Sequence, residues 1–175
     1  YTLTEEFVAV YRMHPLLRDK VDVYDIGSNV ISRSVPIENT RDREAENLLS
    51  GERADRLWYS FGITNPGALT LHNYPNFLRN LSVPVAGNID LATIDVLRDR
   101  ERGVPRYNEF RRQIGLNPIT KFEDLTSDPT TLAQLKKIYS NDIEQIDTMV
   151  GQLAETVRPE GFGFGETAFQ IFILN

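Results

Sequence analysis

Residues 4 to 17 place Phe7, Val10, Tyr11, His14 and Leu17 at spacings of three and four, the period of one helical face, with Thr4 positioned to cap the first turn. In a continuing helix Pro15 would clash with the carbonyl four residues back, and it disfavours helical backbone at His14 before it, so the pattern predicts that the helix ends or kinks there. The stretch VDVYDIGSNVISRSVPI alternates and is rich in β-branched residues around a Gly-Ser-Asn turn, which predicts a short β-hairpin. Beyond residue 40 the pattern is helix and loop. Helices are expected at about 41–52, 54–60, 74–81, 89–102, 106–114, 129–139, 142–157 and 165–174, punctuated by NPG, VPVAGN, GVP, LNP and SDP. The expected fold is mainly α with at most one small β-hairpin, and neither a repeat nor a linker divides it into two domains.

Composition narrows the function classes. With 41% hydrophobic and 25% charged residues in 175, the chain has the balance of a domain with a real core. A net charge of −6, with arginines alternating with acids as in LRDRERG, argues against a nucleic-acid partner, since phosphate binding needs a concentrated basic surface. No apolar run reaches the roughly 18 residues of a membrane-spanning helix, which leaves peripheral attachment through other parts of the protein open. The absence of cysteine removes disulfides, thiolate catalysis and cysteine-ligated metals, so any metal must be held by histidine or carboxylate. The chain begins on Tyr1 without an initiator methionine and ends in the apolar FQIFILN, the ends expected of a piece of a longer protein.

Only two histidines occur, and one of them, His14, follows Tyr11 by three residues. Positions i and i+3 are neighbours on a helix, so both rings can address one pocket. A neutral imidazole is a common axial ligand of haem iron, and a phenol beside an oxidised haem is the side chain most readily converted to an oxygen-centred radical. Spacing alone leaves a second reading open, that of ordinary packing at a half-buried helix end.

The surrounding string FVAVYRMHPLL resembles the proximal helix of the peroxidase–cyclooxygenase superfamily, whose oxygenase branches carry Tyr-x-x-His. The stretches GALTLHNYPNFLRNL, NIDLATIDVLRDRERGVPRYNEFRR, PITKFEDLT and GFGFGETAFQIFILN are similar, in order, to blocks of the fatty-acid α-dioxygenase branch, and together they cover nearly the whole chain. The resemblance implies a haem peroxidase-like helical domain, of which residues 1–175 would form the proximal half, truncated at both ends. It implies haem b as cofactor, His14 as the proximal iron ligand and Tyr11 as the radical tyrosine. The implied substrates are a fatty acid, dioxygen and a peroxide, and the implied product is a 2-hydroperoxy acid. The distal histidine and the arginine that anchors the substrate carboxylate would lie outside this stretch, so it would be inactive alone. General peroxidase chemistry, diol synthase-like oxygenation at a mid-chain carbon, and a haem-free helical interaction module remain the competing functions.

A ligating histidine usually donates its second ring nitrogen to a partner. In the mammalian peroxidase branch an asparagine plays this part, and the matching position here is Asp95. The alternative is an exposed Asp95 paired with Arg98 on its own helix. Arg98, Arg100, Arg102, Arg106, Arg111 and Arg112 could clamp haem propionates or a fatty-acid carboxylate, with Arg98 the candidate for the cofactor, or could form with Asp99, Glu101 and Glu109 a salt-bridged scaffold around GVPRYNEF. His72 has no tyrosine three residues before it and reads as a capping or packing residue. Trp58, Tyr59 and Phe61 read as core, and Asn80-Leu-Ser is a formal glycosylation sequon.

Overall fold

A computed structural model describes residues 3–175; Tyr1 and Thr2 lie outside the described residues. Helix α1 (Glu5–Tyr11) starts where the Thr4 hydroxyl accepts a hydrogen bond from the Phe7 amide at 3.1 Å. It stops at Tyr11, the residue four before Pro15, because a proline there has no N–H to offer the Tyr11 carbonyl and its ring would strike it. A short 3-10 turn, His14–Leu16, follows. The single face predicted for residues 4–17 is thus split between two elements, with Tyr11 closing one and His14 opening the other.

The predicted hairpin is β1 (Lys20–Tyr24) paired antiparallel with β2 (Ile31–Pro36). After a 3-10 turn at Ile37–Thr40 come α2 (Asp42–Gly51), α3 (Ala54–Ile63) and the single turn α4 (Asn76–Arg79). A second hairpin, β3 (Leu81–Val83) with β4 (Gly87–Ile89), corrects the expectation of at most one. VPVAGN is its turn: Gly87 has φ +74°, a backbone that glycine adopts without penalty, and three residue pairs are too few to register as an alternating pattern. The remaining elements are α5 (Leu91–Glu101), α6 (Tyr107–Gln113), α7 (Pro129–Ile138), α8 (Thr148–Ala154) and α9 (Glu166–Leu174).

The helix expected over 142–157 is instead a 3-10 turn at Ile143–Gln145 followed by α8. The cause is long-range. The Tyr107 amide donates to the Ile146 carbonyl at 2.8 Å, and Arg106 and Asp147 form an antiparallel bridge, so this backbone pairs with the start of α6 instead of coiling. Asp147 is then buried and accepts from Arg100 at 2.8 and 2.7 Å, from Arg106, and from the Tyr139 hydroxyl at 3.0 Å.

Two apolar clusters hold the helices together. Tyr107, Phe122, Leu125, Leu135, Tyr139, Ile146 and Ala154 form one; Val10, Phe110, Ala168 and Ile171 form the other and fasten α1 to α6 and α9. The Gln152 amide also donates to the Ala9 carbonyl at 2.9 Å, tying α8 to α1. Trp58 and Phe61, expected in the core, are 75% and 67% exposed. The buried stripe of α3 is Leu57 and Ser60, which faces β1 where the Ser60 hydroxyl accepts from the Tyr24 amide at 2.8 Å, and the aromatics stand on the neighbouring stripe.

Gly151 of α8 is tightly packed: an added Cβ would lie 2.2 Å from the ring of Tyr107. That ring cannot retreat, because it is fully buried and its hydroxyl donates to Glu155 at 2.5 Å. Gly151→Ala is expected to lose about 3 kcal/mol or more in a denaturant titration, against a helix-propensity gain of about 1 kcal/mol.

Candidate active site

His14 opens its 3-10 turn with its ring half-buried. Its Nδ1 lies 2.9 Å from the hydroxyl of Tyr74, and that hydroxyl donates to Asp95 Oδ2 at 3.1 Å. The direct separation between Nδ1 and Asp95 Oδ2 is 3.7 Å, so the phenol is the link between imidazole and carboxylate. Asp95 lies on α5, 3% exposed, with Arg12 Nε 3.3 Å from its other oxygen. Burial pushes the His14 imidazole below its ordinary range, Asp95 acts in the opposite sense, and Arg12 adds to the lowering. The ring is therefore neutral at pH 7. Burial, and then the adjacent Asp95 charge, raise the Tyr74 phenol well above its ordinary value, so it keeps its proton.

The alternative of an exposed Asp95 paired with Arg98 is overturned. Asp95 points inward because it sits on the α5 face that packs on α1, and Arg98 reaches across to Glu5 at 3.0 and 3.4 Å. The other arginines are likewise occupied by acids on distant elements: Arg100 and Arg106 by Asp147, Arg102 by Glu5, Arg111 by Glu155 and Glu166, and Arg112 by Glu144. Of the acids expected to serve this scaffold only Glu109 takes part, with Arg112. Asp99 points into the protein one turn after Asp95, and Glu101 forms no ion pair among the described residues.

Tyr11 is 70% exposed, its ring stacked loosely on Phe7 with centroids 6.3 Å apart. His72 is exposed with φ +64° in the loop before α4; it is neither packed nor a helix cap, and Pro75 occupies the N-cap position. Tyr74 was not singled out by the sequence. It lies 60 residues from His14, in a loop without periodicity, and no local spacing connects the two. Arg12 was passed over as well.

Asp99 is the outlier among the acids. It is 5% exposed, its Oδ2 has no hydrogen-bond partner among the described residues, and burial first, then the charges of Asp95, Asp147 and Glu5, push its carboxyl up to about 6. A raised folded value means that the folded state favours the protonated acid. The stabilisation is complete below the free-chain value of 3.8 and is lost as pH rises through about 6. Asp99→Asn is expected to stabilise the protein at pH 8 by up to about 3 kcal/mol and to have little effect at pH 4, read from denaturant titrations at the two pH values.

Among the described residues no group of three or more His, Cys, Asp or Glu could hold a bare metal ion, and no helix is long and apolar enough to cross a membrane. A porphyrin-bound iron needs a single protein donor. His14 has the chemistry for it: the ring is neutral, Nδ1 is engaged, and Nε2 makes no hydrogen bond among the described residues.

The family profile of the animal haem peroxidases matches residues 1–175, and the chain belongs to that family. Within it, the chain is 43% identical to alpha-dioxygenase 2 of Arabidopsis thaliana, over 99% of its own length and 30% of that protein's. It is likewise 43% identical to alpha-dioxygenase PIOX of Oryza sativa subsp. japonica, over 99% and 30%. The crystal structure of the Arabidopsis thaliana fatty acid alpha-dioxygenase superposes with a TM-score of 0.89 at 40% identity, covering 99% of this chain and 29% of that one. An Oryza sativa fatty acid alpha-dioxygenase with palmitic acid gives 0.88 at 41%, over 99% and 30%. The chain thus spans about 30% of the length of the curated relatives it matches.

Proposed function

We propose that this chain supplies the proximal side of the haem pocket in a fatty-acid α-dioxygenase, with haem b as the cofactor. The observation that carries the reading is the 43% identity to plant alpha-dioxygenases along 99% of the chain, in a segment where His14 offers a free Nε2. Bound haem, activated by a peroxide, supplies the oxidising power.

The residues divide the remaining work. His14 holds the iron through Nε2 and is oriented through Nδ1. Tyr11, three residues earlier, gives up its phenolic hydrogen to become the radical, which then takes a hydrogen atom from the carbon next to the substrate carboxyl. Dioxygen adds to the carbon radical, and the hydrogen returned from the Tyr11 hydroxyl completes the 2-hydroperoxy acid and regenerates the phenoxyl. The arginines of α5 and α6 hold the scaffold and leave the carboxylate to be anchored elsewhere, since each is engaged by an acid of this chain.

Product analysis tests the reading. The full-length protein that carries this segment, loaded with haem and given palmitate and oxygen, is expected to form the 2-hydroperoxy acid and the aldehyde one carbon shorter, whereas residues 1–175 alone are expected to form neither. Oxygenation at a mid-chain carbon, or oxidation of small electron donors alone, would replace it with one of the competing oxidations.

A further inference from the structure

The loop ahead of α4 is stitched to the segment that carries His14. The Gly67 amide donates to the Leu16 carbonyl at 2.9 Å, the Asn73 side-chain amide to the Pro15 carbonyl at 3.0 Å, and the Asn76 backbone and side-chain amides to Asp19 at 2.7 Å each. Gly67 is needed for the contact, because a Cβ there would sit 2.1 Å from the Pro15 carbonyl oxygen. Asn73 also donates to the Ala68 carbonyl at 2.8 Å, bracing the loop against itself. Tyr74, the next residue, is thereby delivered between His14 and Asp95.

The direction of each hydrogen bond follows from the proton count. Asp95, held beside the Arg12 guanidinium, can only accept. The Tyr74 hydroxyl has one proton and gives it to Asp95, so its oxygen must accept from His14, and the proton on His14 must be on Nδ1. We propose that Tyr74 is the positioning residue of His14: with Asp95 and Arg12 behind it, it locks the imidazole in the Nδ1–H tautomer and aims the Nε2 lone pair outward before any cofactor arrives. The proposal deepens, and rests on, the reading of His14 as the iron ligand. It assigns the partner role to a phenol where the sequence pointed to the carboxylate alone. The phenol passes on a share of the Asp95 charge without taking the imidazole proton, which makes Nε2 a stronger donor to a metal than it would be in this site with Nδ1 unpartnered.

The test is the tautomer itself, measured by 15N NMR on haem-free protein labelled at histidine, with His14 assigned by comparison with His14→Ala. The wild type is expected to carry its His14 proton on Nδ1. Tyr74→Phe is expected to lose that signal and to shift the proton towards Nε2, and Gly67→Ala, which disturbs the loop without touching the hydroxyl, is expected to do the same in part. A wild-type His14 protonated at Nε2 would overturn the proposal whatever the variants do, as would a Tyr74→Phe protein that keeps the wild-type pattern. Haem uptake, followed separately by Soret absorbance, distinguishes the two layers. An Nδ1–H tautomer in a protein that takes up no haem would uphold the relay and remove the iron assignment. In haem-loaded protein Tyr74→Phe is further expected to raise the midpoint potential, whereas Tyr11→Phe leaves it unchanged.

Discussion

His14→Ala is expected to leave the protein folded but unable to retain haem, with its Soret absorbance falling to that of unspecifically bound cofactor. The substitution removes the imidazole that the reading assigns to the iron. Because loss of a mere hydrogen-bond partner of a metal-ligating histidine already costs about 10–100-fold in affinity, loss of the ligand itself should exceed that range. The fold should tolerate the change. His14 lies at a half-buried turn outside both apolar clusters, the turn is held by backbone bonds such as Leu17 amide to His14 carbonyl at 2.9 Å, and Tyr74 keeps its bond to Asp95. The stability change should be within about 1 kcal/mol. A variant that unfolds, or that keeps a wild-type Soret band, would speak against the assigned role.

Tyr11→Phe is expected to give the complementary result. The ring contact with Phe7 survives and only the hydroxyl disappears, on a side chain that is 70% exposed and makes no hydrogen bond among the described residues, so stability should change by less than about 0.5 kcal/mol. Haem binding should be intact. In the full-length protein, oxygenation of palmitate should fall by at least roughly a thousandfold, equivalent to about 4 kcal/mol in the barrier, because phenylalanine has no O–H hydrogen to give up. Oxidation of small electron donors by peroxide should persist, since it does not pass through the phenol. Oxygen uptake and guaiacol oxidation, measured on the same preparation, check both halves. Loss of haem in this variant would contradict the division of labour between Tyr11 and His14.

What the sequence made legible follows the range of the interaction concerned. Helix ends set by local chemistry were readable: Thr4 caps α1 and the Pro15 rule stops α1 at Tyr11. The helix predicted over 142–157 failed because Ile146 and Asp147 pair with the start of α6, about 40 residues earlier, and no local pattern records that demand. The arginines were legible as a salt-bridged scaffold but not their partners, since Glu5, Asp147 and Glu155 lie 41 to 97 residues away from the arginines they hold. Trp58 and Phe61 misled because aromatic residues at helical spacing describe two adjacent stripes of α3, and only contact with β1 decides which is buried.

The candidate site divides in the same way. Tyr11 and His14 were visible as a pair, and Asp95 through family resemblance, although the helix that was to carry both rings ends between them. Tyr74 was invisible. Its role comes from glycine and asparagine contacts that fold a distant loop onto the His14 turn, and NYP taken alone is only a turn signal.

The central claim, that His14 Nε2 bonds to haem iron, is tested most directly by resonance Raman spectroscopy of the ferrous haem-loaded protein. An iron–histidine stretching band is predicted in the wild type and in Tyr11→Phe, shifted to lower frequency in Tyr74→Phe, and absent in His14→Ala even when haem is added in excess. The same band surviving in His14→Ala would place the iron on another residue and contradict the account.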